Sequence, residues 1–166
     1  MTAAQKPCGD PRVEHADLSA GRRVLEIEGK ALLKLGEALG ESFALAIEKL
    51  SAITGRLVFT GMGKSGHICR KLAATMASTG TRSHFLHPAE AVHGDLGRVA
   101  HNDLVLILSH SGETDEVIRL LPTLAELKVV IIAITGKAGS RLAKSADVTL
   151  DLGPVQEERN QDREDD

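Results

Sequence analysis

Four short runs of almost uninterrupted apolar residues constrain this 166-residue chain more than any other feature: LVFT at 57–60, LVLILS at 104–109, VVIIAIT at 129–135 and VTLDL at 148–152. Runs that are apolar at nearly every position belong to strands buried on both faces, the pattern of a parallel sheet. Between them lie Ser65–Ser78, Thr114–Leu127 and Ser140–Lys144, each with helical content, and a weaker strand is predicted at Ser83–Leu86. Strand alternating with helix predicts a three-layer α/β/α domain with right-handed crossovers. Pro122 conflicts with an unbroken helix over 114–127 and predicts a kink.

Ahead of the sheet pattern, apolar residues recur at helical spacing from Leu18 to about Ile53, with Gly36 and Gly40 weakening the middle. Two helices, or one broken near Gly40, are predicted. Residues 1–17 mix Pro, Gly and charges without periodicity and predict a loose arm, so the domain is expected at 18–152 with an acidic, disordered tail at 153–166. This length suits one core and is too short for two. With three Phe and no Tyr or Trp, the core must be aliphatic, and a base-stacking platform for single strands is excluded. Six acids and two bases in the tail account for more than the chain's net −3, leaving the preceding residues near +1. That body offers no broad basic face for nucleic acid. The longest apolar run, Val129–Ile134, is far too short to span a bilayer, so no membrane partner is expected. Two cysteines, Cys8 and Cys69, and no N-terminal apolar run make a reducing cytoplasm the expected location.

Three segments carry candidate chemistry. The first is Gly61-Met62-Gly63-Lys64-Ser65-Gly66, a glycine-rich turn that follows the first strand and opens a helix. Glycines there let backbone N–H groups approach an anion, and the helix N-terminus favours it. A Walker loop would need a glycine where Val58 stands. The GxGxxG spacing of Gly61, Gly63 and Gly66 matches a dinucleotide turn, but that reading wants an acid where Leu86 and His87 stand. A tight strand-to-helix turn with a solvated lysine is the plain alternative.

The second segment is Ser109-His110-Ser111-Gly112-Glu113-Thr114, directly after the third strand and again opening a helix. Three hydroxyls and a glycine suit a phosphate monoester without a metal, although by itself the loop also fits an ordinary helix cap. Two such loops on one sheet favour the ligand reading, since with strand order 2-1-3-4-5 the first and third strands flank the point where open α/β sheets bind ligands.

The third segment is His87-Pro88-Ala89-Glu90-Ala91-Val92-His93-Gly94-Asp95-Leu96-Gly97. It gathers imidazoles and carboxylates suited to moving a proton at neutral pH. A metal site and a solvated loop are the alternatives; the two histidines lack a tight ligand spacing, and no metal or other cofactor is expected.

These three motifs, in this order and at these intervals, resemble the sugar isomerase (SIS) domain of bacterial arabinose-5-phosphate isomerases from about Leu18 to Leu152. The resemblance implies a flavodoxin-like five-stranded parallel sheet of order 2-1-3-4-5. It implies interconversion of D-arabinose 5-phosphate and D-ribulose 5-phosphate through an enediolate, and a homo-oligomer, dimer or tetramer, with sites at subunit contacts. It also implies a role in making the eight-carbon acid sugar of lipopolysaccharide or capsule. Carried over by position, Gly63, Ser65, Ser109, Ser111, Gly112 and Thr114 hold the phosphate, while Lys64, Glu116 and His93 face the sugar as catalytic groups.

After the last strand the family continues with a Ser/Thr-rich segment, an apolar helix and a His-Pro-Gly-Gly turn, and many members add a pair of CBS domains. The sequence here reads PVQEERNQDREDD, with Glu157 where the family has a further glutamate. The expectation is a truncated or split isomerase with slow turnover, or a non-catalytic module or regulatory subunit that kept the phosphate site. An oxidoreductase ranks third.

Overall fold

Each apolar run becomes a parallel strand in the computed structural model, which describes the backbone of residues 11–153 and side chains from residue 18 onward. The strands are β1 (Leu57–Thr60), β2 (Ser83–Phe85), β3 (Leu104–Leu108), β4 (Val130–Thr135) and β5 (Val148–Asp151). They form one sheet of order β2-β1-β3-β4-β5. Leu57 lies opposite both Ser83 and Leu104, and Leu104 opposite Val130, so the carboxyl ends of all central strands emerge along one edge. The fold is the predicted doubly wound, three-layer sandwich.

The described residues fall into two units, one ending at Leu39 and one starting at Gly40. The first is a single helix, α1 (Pro11–Glu37). It begins seven residues before Leu18, so residues 11–17 are helical where the sequence predicts a loose arm. A proline at the first turn explains this, because its fixed φ suits that position and its missing N–H costs nothing there. The remainder of the arm, with Cys8, and the tail from Pro154 onward, with Glu157, lie outside the described residues. An exposed Glu26–Lys30 pair at 2.6 Å, in the favourable i, i+4 order, decorates the helix.

In the second unit, α2 (Glu41–Ser51) and α3 (Gly63–Ser78) cover one face of the sheet. Ala46, Cys69 and Ala73 pack there on Leu57, Phe59, Leu104, Leu106, Ile132 and Val148. The opposite face carries α4 (Pro88–Val92), a 3-10 turn at Asp95–Arg98, α5 (Asp115–Ile118), α6 (Leu121–Glu126) and α7 (Arg141–Ser145). Val117, Leu120, Leu124 and Leu142 pack there on Val58, Val105, Ile107 and Ile131. The two aliphatic cores are why β1, β3 and β4 read as continuous apolar runs. At the amino edge, the buried Asp103 carboxylate accepts from the N–H groups of Arg56 (2.7 Å) and Ala100 (2.8 Å), tying β1 to β3.

The single helix expected over 114–127 is two helices, a correction with a local cause. Pro122 cannot donate to the carbonyl of Ile118 and its ring crowds that carbonyl, so α5 ends at Ile118 and α6 restarts at Leu121.

Candidate phosphate cradle

The site grows out of two strand ends that the sheet order makes neighbours. β1 ends at Thr60 and the chain turns through Gly61 and Met62 into α3. A Cβ on Gly61 would meet the Leu108 carbonyl oxygen at 2.8 Å, and one on Gly66 would meet the Gly61 carbonyl oxygen at 2.6 Å. Glycine therefore lets the turn sit flat against the end of β3 and against the first turn of its own helix. Met62 offers no side-chain cap, and the first turn of α3 holds no acid. This helix end keeps its positive dipole and free N–H groups for an outside acceptor. Ser65 is half-buried there and Lys64 is exposed beside it.

The second loop closes over the end of β3. Ser109, 4% exposed, receives the Gly112 N–H on its Oγ (3.2 Å) and shares a bond of 3.0 Å with Thr114 Oγ1. Ser111 Oγ accepts from the Glu113 N–H at 3.2 Å. Donor bookkeeping follows from the one proton per hydroxyl. Ser111 has accepted but not donated, and if buried Ser109 donates to Thr114, the more exposed Thr114 keeps its proton for a ligand. Thr114 stands at the N-cap of α5 without capping it through its side chain.

The loop is held from behind by contacts that sequence reasoning missed. Gly112 has φ +62°, and a Cβ there would collide with the Ser140 side chain. The His110 carbonyl oxygen accepts from Gly136 N (3.0 Å) and Thr135 Oγ1 (3.2 Å). Glu113 accepts from Arg141 N (2.8 Å) and Nε (2.5 Å). The Arg141 hydrogen bonds hold the Glu113 carboxyl below its ordinary range, and Glu113 raises the guanidinium in return. Glu113 thus fastens the loop to α7. Only the Ser140 cap of α7, whose Oγ accepts from Ala143 N at 3.3 Å, left a local sequence signal.

The histidine segment is more ordered than a solvated loop. His87 caps α4 through Nδ1, which accepts from Ala89 N at 3.3 Å, with Pro88 following at the first helical position. His93 ends the helix, exposed. α4 packs against α5, so His93 and the half-buried Glu116 sit on two adjoining helices over one face of the sheet. Lys64 and the four hydroxyl residues stand at the strand ends. Among the described residues no cluster of three or more His, Cys, Asp or Glu groups fits a metal. Cys69 is buried, donates to the Thr60 carbonyl at 3.3 Å, and burial pushes its thiol up to about 11, which leaves it inert.

The chain is a doubly wound sheet with two helix-opening loops at its switch point, and residues 49–161 match the SIS domain family. The chain belongs to that family. It is 53% identical over 131 residues to "Arabinose 5-phosphate isomerase KdsD" of Salmonella typhi, covering 79% of this chain and 40% of the relative. To the Pseudomonas aeruginosa protein of the same name it is 47% identical over 140 residues, 84% of this chain and 43% of the relative. The chain therefore spans about two fifths of the length of these curated relatives. A solved structure, E. coli CFT073 c3406 in complex with arabinose 5-phosphate, superposes with a TM-score of 0.82 at 40% identity, covering 92% of this chain and 79% of that one. No described helix is long and apolar enough to cross a membrane.

Proposed function

We propose that this chain binds a pentose phosphate in the cradle of Gly63, Ser65, Ser109, Ser111, Gly112 and Thr114, and interconverts D-arabinose 5-phosphate and D-ribulose 5-phosphate. One observation carries the reading: the uncapped, acid-free start of α3 and the hydroxyl-rich loop after β3 lie side by side at adjacent strand ends. Such a pair of anion-seeking loops fits one phosphate without a metal. The kinship with arabinose 5-phosphate isomerases supports the choice of sugar.

In the reaction Glu116 or His93 removes the proton from C2 of the open-chain aldose. The C–H electron pair becomes the C1–C2 double bond, and the aldehyde oxygen takes the negative charge of an enediolate. Lys64 stabilises that charge. Return of the proton to C1, with transfer of the O2 hydroxyl proton to O1, leaves the carbonyl at C2. As in the family, the protein is expected to work as a homo-oligomer.

Calorimetry tests the cradle directly. Arabinose 5-phosphate should bind and free arabinose should not, and removing the Ser111 and Thr114 hydroxyls should cost about 1–3 kcal/mol of affinity. Equal affinity for the sugar and its phosphate would contradict the assignment.

A further inference from the structure

Beyond this reading, we infer a second oxyanion site, for a phosphate or carboxylate group, in the cleft formed by His67, Arg70 and His87 on the other side of the glycine turn. The two sites adjoin across the glycine turn and share Gly63 and the start of α3: the cradle lies between β1 and β3, whereas this cleft opens towards β2, where the Phe85 ring packs 3.6 Å from the place of a Cβ on Gly66. The cleft has a volume of about 120 Å³. A water needs only about 10–15 Å³ in the same measure, so an oxyanion head group has ample room.

Its lining sets the chemistry. The side chains are two imidazoles, one guanidinium and one phenyl ring, with Gly61, Gly63 and Gly66 between them; no carboxylate, amide or hydroxyl is present. The Arg70 guanidinium lies 4.1 Å from the centre of the Phe85 ring, and no carboxylate pairs with it among the described residues. This contact uses the face of the guanidinium and none of its five N–H donors. Phe85 in turn meets His87 edge-on, with ring centres 6.2 Å apart. Because His87 Nδ1 accepts the Ala89 N–H, the neutral ring carries its proton on Nε2 and offers a donor rather than a metal-binding lone pair. The uncapped first turn of the 16-residue α3 adds its dipole. A site of donors and positive charge without an acid takes an oxyanion and rejects a cation.

Its separateness rests on the cradle holding the sugar phosphate, so the test reads both sites at once. The full chain, isotope-labelled, is titrated with inorganic phosphate, alone and with saturating arabinose 5-phosphate, while NMR follows the His67 and His87 imidazoles and the amides of Gly112–Thr114. The expected result is that phosphate shifts both imidazoles even in the presence of the sugar phosphate, which itself moves the loop amides. Arg70→Gln should weaken the imidazole response about tenfold or more, with Arg70→Lys intermediate, the loss of a charge-assisted contact. Imidazoles unmoved by phosphate, a response abolished by arabinose 5-phosphate, or an unchanged response in Arg70→Gln would overturn the inference. Silent loop amides with phosphate-responsive imidazoles would sink the cradle and leave the second site standing.

Discussion

At the scale of single residues, two glycines of the site should behave differently. Gly112 combines φ +62° with a Cβ position that Ser140 occupies, whereas Gly63 has φ +53° and open space. Gly112→Ala is expected to cost about 2–4 kcal/mol, from backbone strain plus overpacking, and Gly63→Ala about 1 kcal/mol from strain alone. Urea unfolding of the two variants checks the order; equal losses would contradict it. His84 makes a pH prediction. Burial first, then Arg98 and Arg56, hold its imidazole below the ordinary 6.5, with Asp103 opposing, and its Nε2 is buried without a hydrogen-bond partner. The unfolded chain therefore binds the extra proton more readily than the folded one. Stability from this group should fall as pH drops below 6.5, towards the lowered folded value, and level off beneath it. The urea midpoint should decline on going from about pH 7.5 to about pH 5.5, and His84→Leu should flatten part of that decline. A decline identical in wild type and variant would remove His84 from the account. None of this is legible in the sequence, because only the register of β2 sets His84 beside Val58 in the sheet.

Among the elements, legibility followed burial. The runs at 57–60, 104–109 and 129–135 carried their own signal because those strands are covered on both faces; the run at 148–152, a part-buried edge strand, was legible from its β-branched and aliphatic residues, and all four appear within a residue or so of their expected ends. β2, an edge strand of three half-buried residues, signalled weakly for the opposite reason. α4 went unread although Pro88 follows its cap, since five residues are too few for a periodic pattern to show. The same limit applies to the site. Ser65, Ser109, Ser111 and Thr114 were legible as hydroxyls after strand ends. The grip of Glu113 on Arg141 spans 28 residues and follows no spacing rule, so only the packing of α7 shows it. Glu113→Gln should speed hydrogen exchange at Arg141 and through Gly112–Glu113 while the unfolding midpoint hardly moves, because exposed ion pairs add little to global stability. Unchanged exchange would mean the loop is held without this latch.

For the whole molecule, the α2–α3 layer leaves large apolar side chains in water: Phe43 at 40%, Leu45 at 38% and Ile47 at 46% on α2, and Ile68 at 51% on α3. Apolar surface of that kind is usually covered by a partner. A dimer or tetramer is expected by size-exclusion chromatography with light scattering, and a stable monomer at tens of micromolar would contradict it. The central claim is that the cradle delivers a pentose phosphate to groups able to take its C2 proton. Exchange of that proton with deuterated solvent, followed by NMR, reports enediolate formation even where net conversion is slow. The account expects exchange with arabinose 5-phosphate, a fall of about 10²–10⁴-fold in Glu116→Gln or His93→Ala, whichever group is the base, and substrate binding nearly intact in both. No exchange over hours at saturating substrate would contradict an isomerase and leave a sugar-phosphate-binding module.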